Sequence, residues 1–167
     1  MTRRSAFPRL CAAALAARGW LSTARPLPML AAGPAGDVAV VVNPGVPATD
    51  LGFAEIRKLL LGDRQFWNSG LRVTLLMRAP VARERDVVLR EIYQMSEAQF
   101  RQYWIAKVFR AEATSGPKVV YSDEEAAQMV AAIPGAIAFL DASKVPKGLK
   151  VLKIDGRLPG EAGYKLR

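Results

Sequence analysis

Residues 51–78 read LGFAEIRKLLLGDRQFWNSGLRVTLLMR, and the fold follows from this stretch. Gly52 is placed as a helix N-cap, because Glu55 three residues on can reach back to its amide in a capping box. Leu51 and Ile56 then occupy the two positions of a hydrophobic staple. Ile56, Leu59 and Leu60 share one helix face, while Arg57 and Lys58 turn to water. Gly62 comes just after the apolar run, where a left-handed residue closes a helix at least cost. After the turn around Trp67, VTLLM (residues 73–77) is an almost unbroken apolar run. It predicts a strand in the middle of a sheet, covered on both faces.

The flanking chain repeats this alternation. VAVVV (residues 38–42) predicts a buried strand, followed by the rigid loop NPGVP (residues 43–47). RAP (residues 78–80) leads into a helix reaching about residue 95, with Val88, Ile92 and Met95 as its apolar face. Ser96 with Gln99, and Ser122 with Glu125, predict two further capping boxes. The first opens a helix whose core stripe is Phe100, Tyr103, Trp104 and Val108; the second opens a helix to Ile133. Short strands are expected at residues 119–121, at AIAFL (residues 136–140) after Pro134 and Gly135, and near residues 151–154. From Gly156 the tail is rich in glycine and charge and is expected to be loosely held. Residues 37–155 thus read as an α/β domain, a central, mostly parallel sheet flanked by helices.

The net charge of +9 is unevenly spread. Arg3, Arg4, Arg9, Arg18 and Arg25 precede Asp37 with no acidic residue among them. From Asp37 onward, 19 basic residues face all 15 acidic ones, a mildly cationic surface suited to an anionic partner. No basic run is interleaved with aromatics, so nucleic acid is not expected as a partner. Residues 1–36 have the layout of an export signal: a basic start, a short apolar stretch from Leu10, and small residues at Ala31, Ala32 and Gly33. The other reading of this segment is a basic leader without structure. Export would place the protein in the periplasm or outside the cell. No run of eighteen apolar residues occurs, so no membrane span is expected once the signal is removed. The single cysteine, Cys11, lies in the same segment, and the chain has no histidine. Disulfides, Ser-His and Cys-His nucleophiles and histidine metal sites are therefore excluded from residues 37–167. No cofactor, metal or catalytic residue is assigned.

The string AEIRKLLLGDRQFWNSGLRVTLLMR resembles a segment of the phosphate ABC-transporter substrate-binding proteins of the periplasmic binding protein superfamily. Ala54, Glu55, Ile56, Leu60, Gly62, Trp67, Gly70 and Arg78 carry the match. Val42-Asn43-Pro44 and the run PGAIAF (residues 134–139) agree with it. The resemblance covers roughly residues 38–152 and implies a single lobe of a two-lobed, non-catalytic binding protein. In that family the strand-end arginine is followed by Asp-Gly-Ser-Gly-Thr, whose hydroxyls and amides hold the oxyanion with it. Arg78 stands at the matching arginine, but the loop here is Ala79, Pro80, Val81, Ala82, Arg83 and Glu84, with no glycine and no hydroxyl.

In α/β sheets ligands sit beyond the carboxyl ends of strands. The loops after residues 42 and 78 are therefore the candidate site, with Arg78, Arg83 and Asn43 as its ligand-binding residues. Arg83, Asn43 and the nearby Trp67 each have a plain structural reading as well. Arg83 can be a solvated cation paired along its helix, Asn43 can hold its own Asn-Pro turn, and Trp67 can cap the core rather than stack on a ligand. Two functions stay open. One is an exported solute-binding module for a small phosphate-like oxyanion, serving a membrane permease or other protein partner. The other is a single-lobe interaction or scaffold domain without a small-molecule ligand.

Overall fold

The computed structural model describes residues 36–167; the expected leader, apart from Gly36, lies outside them. The described chain runs β1 (Val38–Val42), β2 (Asp50–Leu51), α1 (Phe53–Leu60) and β3 (Thr74–Arg78). Next come α2 (Arg83–Val88), continued by a π-turn (Leu89–Tyr93), and α3 (Glu97–Phe109). Then follow β4 (Lys118–Val120), α4 (Asp123–Ala132) and β5 (Ala136–Asp141). A short 3-10 turn (Ala142–Lys144), β6 (Lys150–Val151) and β7 (Lys153–Ile154) complete it.

Five strands form one sheet in the order β4-β3-β5-β1-β6. β3 pairs in parallel with β4 and β5, and β1 pairs antiparallel with β5 and β6. Four strands thus point one way and β1 is reversed, so the sheet is mostly parallel as expected. Alternation along the strands builds two cores. Val38, Val40, Val42, Met77, Ile137 and Phe139 face α1, the π-turn and α3. Ala39, Val41, Leu76, Ala138 and Leu140 face α4. Helices therefore cover both faces, which is why the strands read as continuous apolar runs.

The organising stretch forms as its chemistry dictates. The Gly52 amide donates to Glu55 Oε2 at 3.1 Å, and Gly62 closes the helix end at φ +73°. The last carbonyls of α1 are taken up from outside: Tyr93 Oη donates to Leu60 O, and Tyr103 Oη and Lys107 Nζ donate to Leu61 O. Trp67 caps the core and donates through Nε1 to Gly135 O at 2.9 Å. A Cβ at Gly135 would stand 2.2 Å from Arg72 O, so only glycine lets this turn approach β3.

Several expectations are corrected. The helix after β3 does not run regularly to Met95; it widens to π geometry at Leu89 and ends at left-handed Gln94, which carries Tyr93 into the core. On α3, Val108 is exposed and Lys107 is buried in its place, because Lys107 Nζ reaches Leu61 O and Asp63 Oδ1. The second predicted box, at α4, forms only half: Ser122 Oγ accepts from the Glu125 amide, but the Glu125 carboxylate accepts from the Tyr121 amide instead. The tail is not loosely held. Tyr164 and Leu166 are buried, Tyr164 Oη donates to Val38 O, and the Val38 amide donates to Leu166 O.

Candidate functional site

β3 lies inside the sheet, and its last residue is Arg78, which is buried. Arg78 pairs in register with Val120 and alternates with Met77, so its side chain leaves on the α4 side of the sheet. There Nε lies 3.6 Å from Glu84 Oε2 and 3.7 Å from Asp123 Oδ1. Both distances exceed hydrogen-bond reach, yet both carboxylates offset the guanidinium charge. Among the described residues, Nε and Nη1 of Arg78 are buried without a hydrogen-bond acceptor, and Asp123 Oδ1 is likewise without a donor. Asp123 Oδ2 pairs with Lys144 Nζ at 3.1 Å, and that contact raises the lysine pKa.

Arg83 opens α2 at the same end of the sheet and donates through Nη2 to Gly36 O, while its buried Nη1 has no acceptor among the described residues. Asp141 ends β5 nearby; hydrogen bonds from the Ser143 hydroxyl and amide hold its carboxyl below the usual range. The carboxyl ends of β3 and β5 thus gather Arg78, Arg83 and Lys144 with Glu84, Asp123 and Asp141. Three positive charges meet three negative ones. Such a cluster can hold a small anion through unused donors, but it has no surplus charge to draw one in.

Asn43 is not part of this group. Because β1 runs antiparallel to β5, Asn43 lies at the opposite end of the sheet, with its amide N–H bonded to Ala136 O. Its Nδ2 donates to Val130 O and Ala131 O at the end of α4, and its Oδ1 accepts from the Gly45 amide. The side chain caps a helix and holds its own turn. Expecting it beside Arg78 assumed that both strands point the same way. Asp123 and Lys144 were missed in the sequence. An acidic first residue after a serine N-cap is ordinary helix chemistry, and nothing local says that it faces Arg78. Among the described residues, no three His, Cys, Asp or Glu side chains are grouped to hold a metal ion, and no helix is long and apolar enough to cross a membrane.

The loop between β3 and α2 is strained. The Ala82 amide donates to Ala79 O at 3.2 Å across Pro80 and Val81, and Val81 has φ +69°. This is a turn with proline in its second place and a left-handed third residue, where glycine is the usual occupant.

No family model and no curated protein matches the chain. Solved structures do match its fold. A phosphate-transport receptor of an ABC system from Vibrio cholerae superposes with a TM-score of 0.63 at 16% identity, over 78% of this chain and 53% of that one. A putative phosphate ABC-transporter substrate-binding protein with bound phosphate from Clostridium perfringens gives 0.58 at 16% identity, over 72% and 46%. PstS from Borrelia burgdorferi gives 0.57 at 16% identity, over 74% and 49%. At this identity the likeness is one of fold, and the chain spans about half the length of the proteins that it matches.

Proposed function

We propose that the chain is an exported, non-catalytic module of the solute-binding type that takes a small oxyanion weakly at Arg78 and Arg83. The observation that carries the reading is Arg78, a buried guanidinium at the end of an interior strand whose Nε and Nη1 have no acceptor among the described residues. Buried donors of a charged group need partners, and an oxyanion supplies them. The fold likeness to phosphate-binding proteins points the same way. Glu84 and Asp123 set the strength. Their charges repel an incoming anion, so affinity is about 0.1–1 mM, or about 4–5.5 kcal/mol. Phosphate, sulfate and carboxylates then compete on similar terms, and a permease or another protein partner would receive the bound solute.

Calorimetric or NMR titration of the protein with phosphate, sulfate and acetate at low salt tests this, with Arg78→Ala as control. Saturable binding that disappears in the control supports the reading; binding unchanged in the control places the pocket elsewhere. Export is tested by mass spectrometry of protein from its native cells, where a chain beginning after residues 31–36 is expected. An intact leader in a cytosolic fraction refutes it.

A specific observation favours the second reading, an interaction domain without a small ligand. Ile105 and Phe109, one turn apart on α3, are 65% and 90% exposed. If no anion binds saturably, this apolar face is the feature that remains to be explained.

A further inference from the structure

At the amino ends of β3 and β4, opposite Arg78, a cavity of about 260 Å³ opens between α1, α3 and the loop entering β4. Its apolar wall is made by Leu59, Leu75 and the Trp104 ring. Gly62 is what lets the ring lie there, since a Cβ at that residue would stand 2.9 Å from Trp104 Cη2. The polar side is of one sign. Arg64, Arg72 and Lys118 line the cavity, and no aspartate or glutamate does. None of the three cations makes an ion pair among the described residues. Arg72 Nη2 donates to the Thr114 hydroxyl on the rim, which holds the guanidinium at the mouth, and no other Arg72 donor has a partner among the described residues.

We propose that this cavity binds a small organic anion: a carboxylate or phosphomonoester carried on a ring or short apolar body. Volume, wall and charge each restrict the ligand. An apolar cavity of about 150 Å³ accommodates benzene, so this one has room for a six-membered ring plus an anionic group. It lies below the range of about 300–1,000 Å³ usual for drug-sized ligands, so it suits a small body better than a nucleotide or larger cofactor. A cleft lined by one sign of charge with low-dielectric walls concentrates the opposite charge. The fork of Arg72 suits two oxygens of one acid group. The Trp104 ring offers the apolar face against which the body packs. This site is separate from the one at Arg78 and stands or falls independently of it.

The test titrates the full-length protein with benzoate, phenyl phosphate and neutral benzyl alcohol. It is followed by NMR at the Trp104 indole N–H and the Ser115 and Gly116 amides. Both anions are expected to shift these signals saturably, their ratio showing which acid group is preferred, while benzyl alcohol leaves them in place. Arg72→Gln removes an exposed side chain and is expected to weaken the anions by at least about tenfold, the loss of a charge-assisted hydrogen bond. Arg78→Ala is expected to leave these shifts unchanged. The proposal is overturned if neither anion saturates by about 10 mM, far weaker than a built site would be. It is also overturned if benzyl alcohol binds as well as benzoate, or if the Arg64→Gln, Arg72→Gln double variant binds the anions like wild type.

Discussion

Val81→Gly is expected to stabilise the protein, and its size follows from two opposed effects. Val81 sits third in the turn from Ala79 to Ala82 with φ +69°, a conformation that costs an L-residue about 1–2 kcal/mol, the more so when it is β-branched. The side chain is 98% exposed, so removing it forfeits no burial. Against this relief stands the greater freedom of glycine in the unfolded chain, about 0.5–1 kcal/mol. The net gain is about 0.5–1 kcal/mol. Urea melts read it as a midpoint raised by roughly 0.2–1 M at a typical slope of about 1–3 kcal/mol per molar, with the slope itself unchanged. A variant less stable than wild type would show that the loop is not held in this turn. A changed slope would mean that the surface exposed on unfolding had changed, so that the midpoint alone no longer reads the turn.

Three further outcomes are expected. Gly135→Ala forces a Cβ toward Arg72 O at a residue with φ +77° and is expected to cost about 2–4 kcal/mol in denaturant melts, whereas a loss under about 1 kcal/mol would mean that β3 and this turn are not so closely apposed. Glu97→Gln breaks the paired bonds to buried Arg85 (2.8 Å each) and is expected to cost about 1–2 kcal/mol at neutral pH, taken low because Glu97 is partly exposed. The Arg85 hydrogen bonds hold the Glu97 carboxyl below its ordinary value of 4.5, so this stability is complete above that value and is lost as pH falls through the lower, folded one. Melts of both proteins should converge in acid, and a constant gap would refute the pairing. Glu84→Gln removes one of the two carboxylates beside Arg78 and is expected to tighten phosphate binding there roughly tenfold in an NMR titration. Unchanged affinity would mean that Glu84 does not set it.

Local chemistry was legible in the sequence wherever it was complete within a few residues. The Gly52–Glu55 and Ser96–Gln99 boxes, the left-handed Gly62 and the five buried residues of β1 all appear where their spacing placed them. Properties shared between distant segments were not legible. A β-branched run announces a strand but not its direction, and the reversal of β1 carried Asn43 away from Arg78. The spacing of Tyr164 and Leu166 around Lys165 is the two-residue period of a docked segment. It was obscured by the glycines and charges around it, although the buried pair ties the tail to β1. Lys107 could not be recognised as buried, because the oxygens that accept its protons belong to Leu61 and Asp63, over forty residues earlier.

The same distinction governs where this molecule can hold an anion. The surplus of four basic residues beyond residue 36 says that the surface is cationic, but recognition depends on positive charge left uncompensated at one place. At the carboxyl ends of β3 and β5, Arg78 is in the position that the sequence singled out, and it is met by Glu84 from α2 and Asp123 from α4. At the amino ends of β3 and β4, no motif marks Arg64 or Arg72, yet the chain brings them to one cavity without a carboxylate in its lining. The arginine with the clearer signature therefore has the weaker claim on an external anion. Charges a few ångströms apart in a partly buried site interact by about 4 kcal/mol, several times their worth in open water. Two such neighbours offset most of what a strand-end position and a free guanidinium edge contribute together, which leaves any binding at Arg78 weak.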